Sequence, residues 1–270
     1  MPAVVASDSG WGQLAAEVAE ITWYHTIELP GGIVTAGEYD TRPAARRIPL
    51  PADLSGLRCL DVGTHDGFWA FELERRGAND VTAIDLDDPR QVDFSEPVPE
   101  LSAPVLAERQ ARTRAFECAH RALGSQVLRR DLSVYDLAGA DVGPIDFAFI
   151  GTLLLHLRDP LRALAAIRSV LSPGGRLLVN DAVSLGNSLL HPWRPVHTLT
   201  FLPGKPFWWI PNARGLARYL EKVGFTVTES GGPYLVPRGP GYRRPPPPSL
   251  AARVALSRGM PHAWALGRLT

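Results

Sequence analysis

The sequence has very little cysteine and very little lysine. Its only thiols are Cys59 and Cys118, one in an expected buried strand and one in an expected helix. Such a pair suggests neither a disulfide framework nor a zinc site. Its only lysines are Lys205 and Lys222, and 28 basic residues balance 28 acidic ones. A net charge of zero lacks the basic excess of many nucleic-acid enzymes, so a nucleic-acid partner is not expected. No apolar run is long enough to span a bilayer, and no membrane partner is expected. The opening MPAVVASDSGWGQLAAEVAE has neither the basic start nor the apolar core of a signal peptide, so a cytoplasmic location is expected. The 270 residues suit one domain with added segments.

What is present is an alternation of short apolar runs and helical patterns. Residues 1–50 begin with helical spacing, Leu14, Val18 and Ile21 sharing a face, and then turn rich in glycine and proline. This reads as a helix followed by an ordered flap. From residue 57 onward LRCLDVG, DVTAIDL, QVLRRDL, IDFAFIG and RLLVND read as strands. Helices are expected at 67–76, 104–123, 159–171 and 213–223, the third with Leu161, Leu164, Ile167 and Leu171 along one stripe. Strands alternating with helices predict an α/β fold with a parallel sheet covered on both faces. The catalytic domain is expected over 51–235, with FTVTES as a late strand and an irregular insertion at 182–212. Residues 236–270 read as a proline-rich linker ending in a helical tail. Its apolar positions Val254, Leu256, Trp264 and Leu266 are available for a homodimer.

The loop after the first strand reads Asp61-Val62-Gly63-Thr64-His65-Asp66-Gly67. A dinucleotide loop needs G-x-G-x-x-G so that backbone can approach a pyrophosphate. Here His65 stands at the middle glycine, so the ligand need not press a diphosphate on the loop. S-adenosylmethionine, which has no phosphate, meets that condition. Asp61, Gly63, His65 and Gly67 are then cofactor-loop positions. Asp85, with Leu86 beside it, is placed to accept the ribose hydroxyls. Asp131 is placed to accept from the adenine amino group, with Leu132 beside the ring. Gly151 allows close approach to the amino-acid end. All lie at the carboxyl ends of parallel strands, where open α/β sheets bind ligands. A helix cap at Asp85 and a turn at Asp131 are the alternatives.

LDVGTHDGFWAFELERRGANDVTAIDLDD together with FIGTLLLHLRDPLRALAAIRSVLSPGGRLLVND resembles the class I S-adenosylmethionine-dependent methyltransferases over about 57–230. The resemblance implies a Rossmann-like seven-stranded sheet whose last two strands form a hairpin. TWYHTIELPGGIVTAGEYDTR, His65 and PFWWIPNARGLARYLEKVGF are similar to the tRNA wobble-uridine (5-oxyacetate) methyltransferase-like group. Two departures stand out. That group's carboxymethyl-transferring enzyme has a lysine in its N-terminal region, and this chain has none before Lys205. It also has a tyrosine where this chain has Leu155. The expected reaction is therefore methyl transfer to a small molecule, at a hydroxyl of a sugar-containing or other natural product. A tRNA-modifying enzyme and a non-catalytic cofactor-binding subunit are the alternatives.

Transfer to a hydroxyl needs an in-line nucleophile and a group that takes its proton. His156, after the fourth strand, is the candidate base, or else packs on the cofactor or caps the next helix. Asp181 is a rival base, or else binds a loop. Trp23 is expected over the cofactor. Tyr24, His25, His191, Trp208 and Trp209 are the candidate substrate contacts, with one of the two tryptophans expected buried. Arg42, Arg46 and Arg47 bind a substrate anion or form a solvated cluster. The ribose role accounts for Asp85, so no metal is expected.

Overall fold

The computed structural model describes residues 8–100, 102–200, 204–243 and 258–270. Five strands run parallel: β1 (Arg58–Val62), β2 (Asp80–Asp85), β3 (Leu128–Asp131), β4 (Ile145–Gly151) and β5 (Leu171–Ala182). β6 (Thr226–Val236) and β7 (Met260–Arg268) complete one edge, with β7 antiparallel to both β6 and β5. The seven-stranded order is β6-β7-β5-β4-β1-β2-β3. This is the Rossmann-like arrangement expected from the sequence.

Alternation along the strands divides the core between the two faces of the sheet. Phe147 and Phe149 of β4 point to one face, with helices α1 (Asp8–Glu20), α2 (Phe68–Arg75) and α3 (Ala103–Leu123). Ala148 and Ile150 point to the other, with α4 (Pro160–Ser169) and α5 (Ala213–Lys222). Local sequence sets the helix starts. Asp159 accepts the amide of Arg162 ahead of Pro160, and Asn212 Oδ1 accepts the amide of Gly215 at 2.7 Å.

Residues 21–47 form a flap of very short elements. Trp23–His25 pairs in parallel with Gly37–Tyr39, Glu28–Leu29 pairs with Ile33–Val34, and a helix covers Arg42–Arg47. A Cβ at Gly37 would overlap the backbone of His25, so glycine permits that close pairing.

Three expectations need correction. The C-terminal tail does not end as a helix: Met260–Arg268 is β7, hydrogen-bonded along both edges. Leu266 is buried in the core and Trp264 packs against it, so neither forms a free dimer face. Val254, Leu256 and the proline run lie outside the described residues. The insertion is not wholly irregular either. It holds a helix, Leu185–Leu190, and an antiparallel pair, His197–Leu199 with Trp209–Pro211. Leu266→Ala is expected to lower stability by about 2–3 kcal/mol, as for other buried leucines. Thermal unfolding checks this, and an unchanged midpoint would argue against β7 as a core strand.

Candidate functional site

The glycine loop ties the carboxyl end of β1 to that of β2, and β2 is tied in turn to the end of β3. The amides of Gly63 and Thr64 both donate to the Ile84 carbonyl, and the amide of His65 donates to Asp85 Oδ2 at 2.8 Å. Asp85 Oδ1 takes the Leu86 amide at 2.7 Å, while the Leu132 amide reaches the Asp85 carbonyl at 3.0 Å. Asp131 Oδ1 accepts from the Asp87 amide at 2.9 Å. The predicted cofactor residues Gly63, His65, Asp85, Leu86, Asp131 and Leu132 therefore meet at one end of the sheet. A carboxylate offers about four lone-pair sites, so Asp85 can accept further hydroxyls.

The loop geometry matches its residues. Gly63 and Gly67 have φ of 79° and 92°, and a Cβ at Gly67 would overlap the Phe71 ring. His65 itself has φ of 54°. A side chain in this left-handed region is uncommon, and such strain concentrates at functional sites.

Two buried carboxyls flank the loop. Asp66 accepts the amides of Tyr24 and His25, at 2.9 and 2.8 Å, and pairs with His25 Nδ1. Burial pushes its pKa up, but the attraction and hydrogen bonds of His25 outweigh that and hold it below the ordinary value. Asp61 is only 1% exposed, and its Oδ2 has no hydrogen-bond partner among the described residues. Burial pushes this carboxyl up to about 7, against the pull of Thr64 and His25. A buried carboxyl oxygen with no described partner, beside a glycine loop, fits the ammonium of an amino-acid-bearing ligand.

The flap residues divide by strand alternation. Tyr24 stacks on His65 with ring centroids 4.6 Å apart. Trp23, expected over the cofactor, is instead a core residue whose indole donates to the Val18 carbonyl. His25, expected to contact substrate, is buried between Asp66 and Phe68, where it fastens flap to loop. Arg42 is engaged by Asp40 and Glu28.

The rival base Asp181 is also reassigned. Its Oδ2 accepts the amides of Leu153 and Leu154, at 3.0 and 2.7 Å, and its Oδ1 accepts from Ala182. Burial raises it to about 7 despite those bonds. It holds the loop after β4 and does not reach outward. His156 lies against the insertion: its Nδ1 donates to the Pro206 carbonyl at 2.6 Å, and its ring packs on Phe207. Both Trp208 and Trp209 are half-buried, against the expected split. Their indoles donate to the carbonyls of Asp93 and Arg158. His191 is exposed at the end of the Leu185–Leu190 helix.

Next to the glycine loop is a cleft. Its aromatic walls are Tyr24, Tyr39 and Trp69, and Val236 and Met260 add apolar surface. Its polar groups are Thr41, Thr152, Asn180 and His262. Gly151 borders it, since a Cβ there would lie 3.2 Å from Trp69 Nε1. Sequence reasoning missed most of this cleft. Thr152 and Asn180 adjoin predicted site residues and could have been found by position. His262 could not, because MPHAWALGR has no alternation to mark it as a strand.

Residues 36–230 match the family described as methyltransferase domain, well over half of the chain. A tRNA U34 carboxymethyltransferase of Idiomarina loihiensis is 25% identical over 186 residues, which is 67% of this chain and 49% of that protein. A ubiquinone biosynthesis O-methyltransferase of Xanthomonas euvesicatoria pv. vesicatoria is 35% identical over 128 residues, 47% of this chain and 44% of that protein. The chain thus spans just under half the length of these curated relatives. The N-terminal domain of EvdMO1, solved in the presence of SAH and D-fucose, shares the fold with a TM-score of 0.58 and 16% identity, with 100% of both chains covered. In its sheet order, and in a match that extends from the flap to β6, the chain belongs to the methyltransferase domain family.

Proposed function

We propose that this chain transfers a methyl group from S-adenosylmethionine to a hydroxyl oxygen of a small molecule, a sugar-containing or other natural product, in the cytoplasm. The observation that carries the reading is the buried Asp61 carboxyl beside the glycine loop, whose Oδ2 has no partner among the described residues, next to a cleft with no charged side chain among the described residues. Asp61 would take the cofactor's ammonium, with Gly63, His65, Gly67 and Gly151 leaving room for its amino-acid end. Asp85 would accept the ribose hydroxyls, and Asp131 with Leu132 would receive the adenine. The bound cofactor supplies an electrophilic methyl on a sulfonium. The protein's part is to hold the acceptor oxygen in line, keep water out and take up a proton.

The ubiquinone-pathway relative, an O-methyltransferase by name, favours transfer to oxygen. The tRNA-modifying relative favours the second reading, tRNA modification. Against that reading stand the net charge of zero and a cleft lined by no charged side chain among the described residues. Calorimetric titration with S-adenosylhomocysteine tests the cofactor assignment. Wild-type binding is expected, with affinity about tenfold weaker in Asp85→Ala, since a hydrogen bond to a charged group contributes about 1.5–3 kcal/mol. No binding would sink the reading. Transfer of radiolabel from the cofactor to bulk tRNA, and to no small hydroxyl compound, would favour the second.

A further inference from the structure

Methyl transfer to a hydroxyl releases a proton, and neither His156 nor Asp181 lines the cleft. Asp181 is occupied by three amides, and His156 leans on the insertion. The cleft has its own imidazole. His262, on β7, is 3% exposed and faces the cleft. Its Nδ1 lies 3.0 Å from the Met260 carbonyl, which can only accept, so the ring hydrogen is on Nδ1. Its Nε2 lies 3.0 Å from Thr152 Oγ1, and the bare nitrogen accepts the threonine hydroxyl. Burial lowers His262 to about 4, so the ring is neutral at neutral pH.

Thr152 is held in an unusual conformation. Its φ is 51°, in the left-handed region, which for a β-branched residue costs about 1–3 kcal/mol. The Thr152 amide bonds to the Asn180 carbonyl at 2.9 Å, and Asp181 holds the next two residues. The strain is thus maintained from two directions where it turns the hydroxyl toward His262. Thr41 provides an independent sign of a polar ligand. It is 6% exposed, lines the same cleft, and its hydroxyl has no hydrogen-bond partner among the described residues.

We propose that Thr152 and His262 handle the acceptor hydroxyl: Thr152 Oγ1 receives the acceptor's O–H, and His262 Nε2 is where the proton goes. The inference rests on the methyl-transfer reading above and deepens it to an uncharged hydroxyl compound. The acceptor oxygen's lone pair forms the new O–CH3 bond as the methyl–sulfur bond breaks, its electron pair staying on sulfur. The acceptor's proton passes to Thr152 Oγ1 while the Thr152 proton passes to His262 Nε2. The products are a methyl ether, a neutral thioether and an imidazolium, which returns its proton to solvent.

The test uses full-length protein with 15N-labelled histidine, saturated with S-adenosylhomocysteine. Catechol and methyl β-D-glucopyranoside, one neutral phenol and one neutral sugar, are added separately. At least one is expected to move the His262 Nε2 resonance, and Thr152→Val is expected to abolish the move without changing S-adenosylhomocysteine affinity. With a probe that is methylated, Thr152→Val should lower kcat about 100-fold, the usual size of a lost proton-transfer group, with KM changed less than about threefold. Thr152→Ser should restore kcat. Unmoved His262 resonances with both probes, or full kcat in Thr152→Val, overturn the assignment. Wild type that fails to bind S-adenosylhomocysteine fails at the earlier step and removes the methyl-transfer reading itself.

Discussion

Asp61→Asn is expected to stabilise the ligand-free protein at pH 8 while weakening S-adenosylhomocysteine binding roughly 10- to 100-fold, the value of a charge-assisted hydrogen bond. The two effects have one cause. The folded protein buries a carboxyl with an oxygen that no described group satisfies, and burial raises its pKa from 3.8 to about 7. Between those values the folded state holds a proton that the unfolded state has released. Wild-type stability therefore falls as pH rises from about 4 to 7, and the full cost persists above 7. Asparagine has no such titration. Its advantage should be absent near pH 4, grow through the interval and be complete above pH 7. The shift sets a ceiling of about 4 kcal/mol at 1.36 kcal/mol per pKa unit. The buried amide has its own cost, so the net gain is expected at about 1–2 kcal/mol. Denaturant unfolding at pH 4.5 and pH 8 checks the sign. A variant less stable than wild type at pH 8 would show that Asp61 is satisfied without ligand. Such a trade between stability and binding is expected where a site is built to bind a charged ligand.

Asp181→Ala should act in the opposite sense and on the fold itself. Removing this carboxyl leaves the amides of Leu153, Leu154 and Ala182 without their acceptor in a buried setting. The expected loss is about 3–5 kcal/mol. At about 2–4 °C per kcal/mol for a chain of this size, the unfolding midpoint should drop by about 10 °C. Asp181→Asn keeps one acceptor oxygen and removes the carboxyl whose pKa burial raises to about 7, so its midpoint should fall less than that of Asp181→Ala. If Asp181 were instead the base, Asp181→Asn would lose methyl transfer with an unchanged midpoint. Calorimetric scanning of both variants separates these outcomes.

Much of the parallel half of the sheet was legible along the chain. β1, β2, β4 and β5 are apolar runs bounded by glycine or acid, and the helices between them have a clear period. The glycine loop was legible because its glycines must adopt positive φ, and Asp85 and Asp131 because they end strands. The insertion was readable only as long and proline-rich. Its tryptophans looked like ligand contacts because their backbone partners, the carbonyls of Asp93 and Arg158, are distant in sequence.

β7 was not legible. MPHAWALGR carries a proline and a glycine and is buried on both faces, so it shows no alternation to mark it as a strand. Only pairing with β5 and β6 makes it one, and only that pairing brings His262 within hydrogen-bond reach of Thr152, 110 positions earlier. Burial likewise decided between roles that sequence left open. It took Trp23 into the core, His25 to Asp66 and Asp181 to three amides. Local order, loop type and the ligand-facing end of the sheet follow from short-range propensity and period, which a sequence carries by itself. Which polar side chains remain available for chemistry depends on long-range partners, and tertiary structure alone decided that.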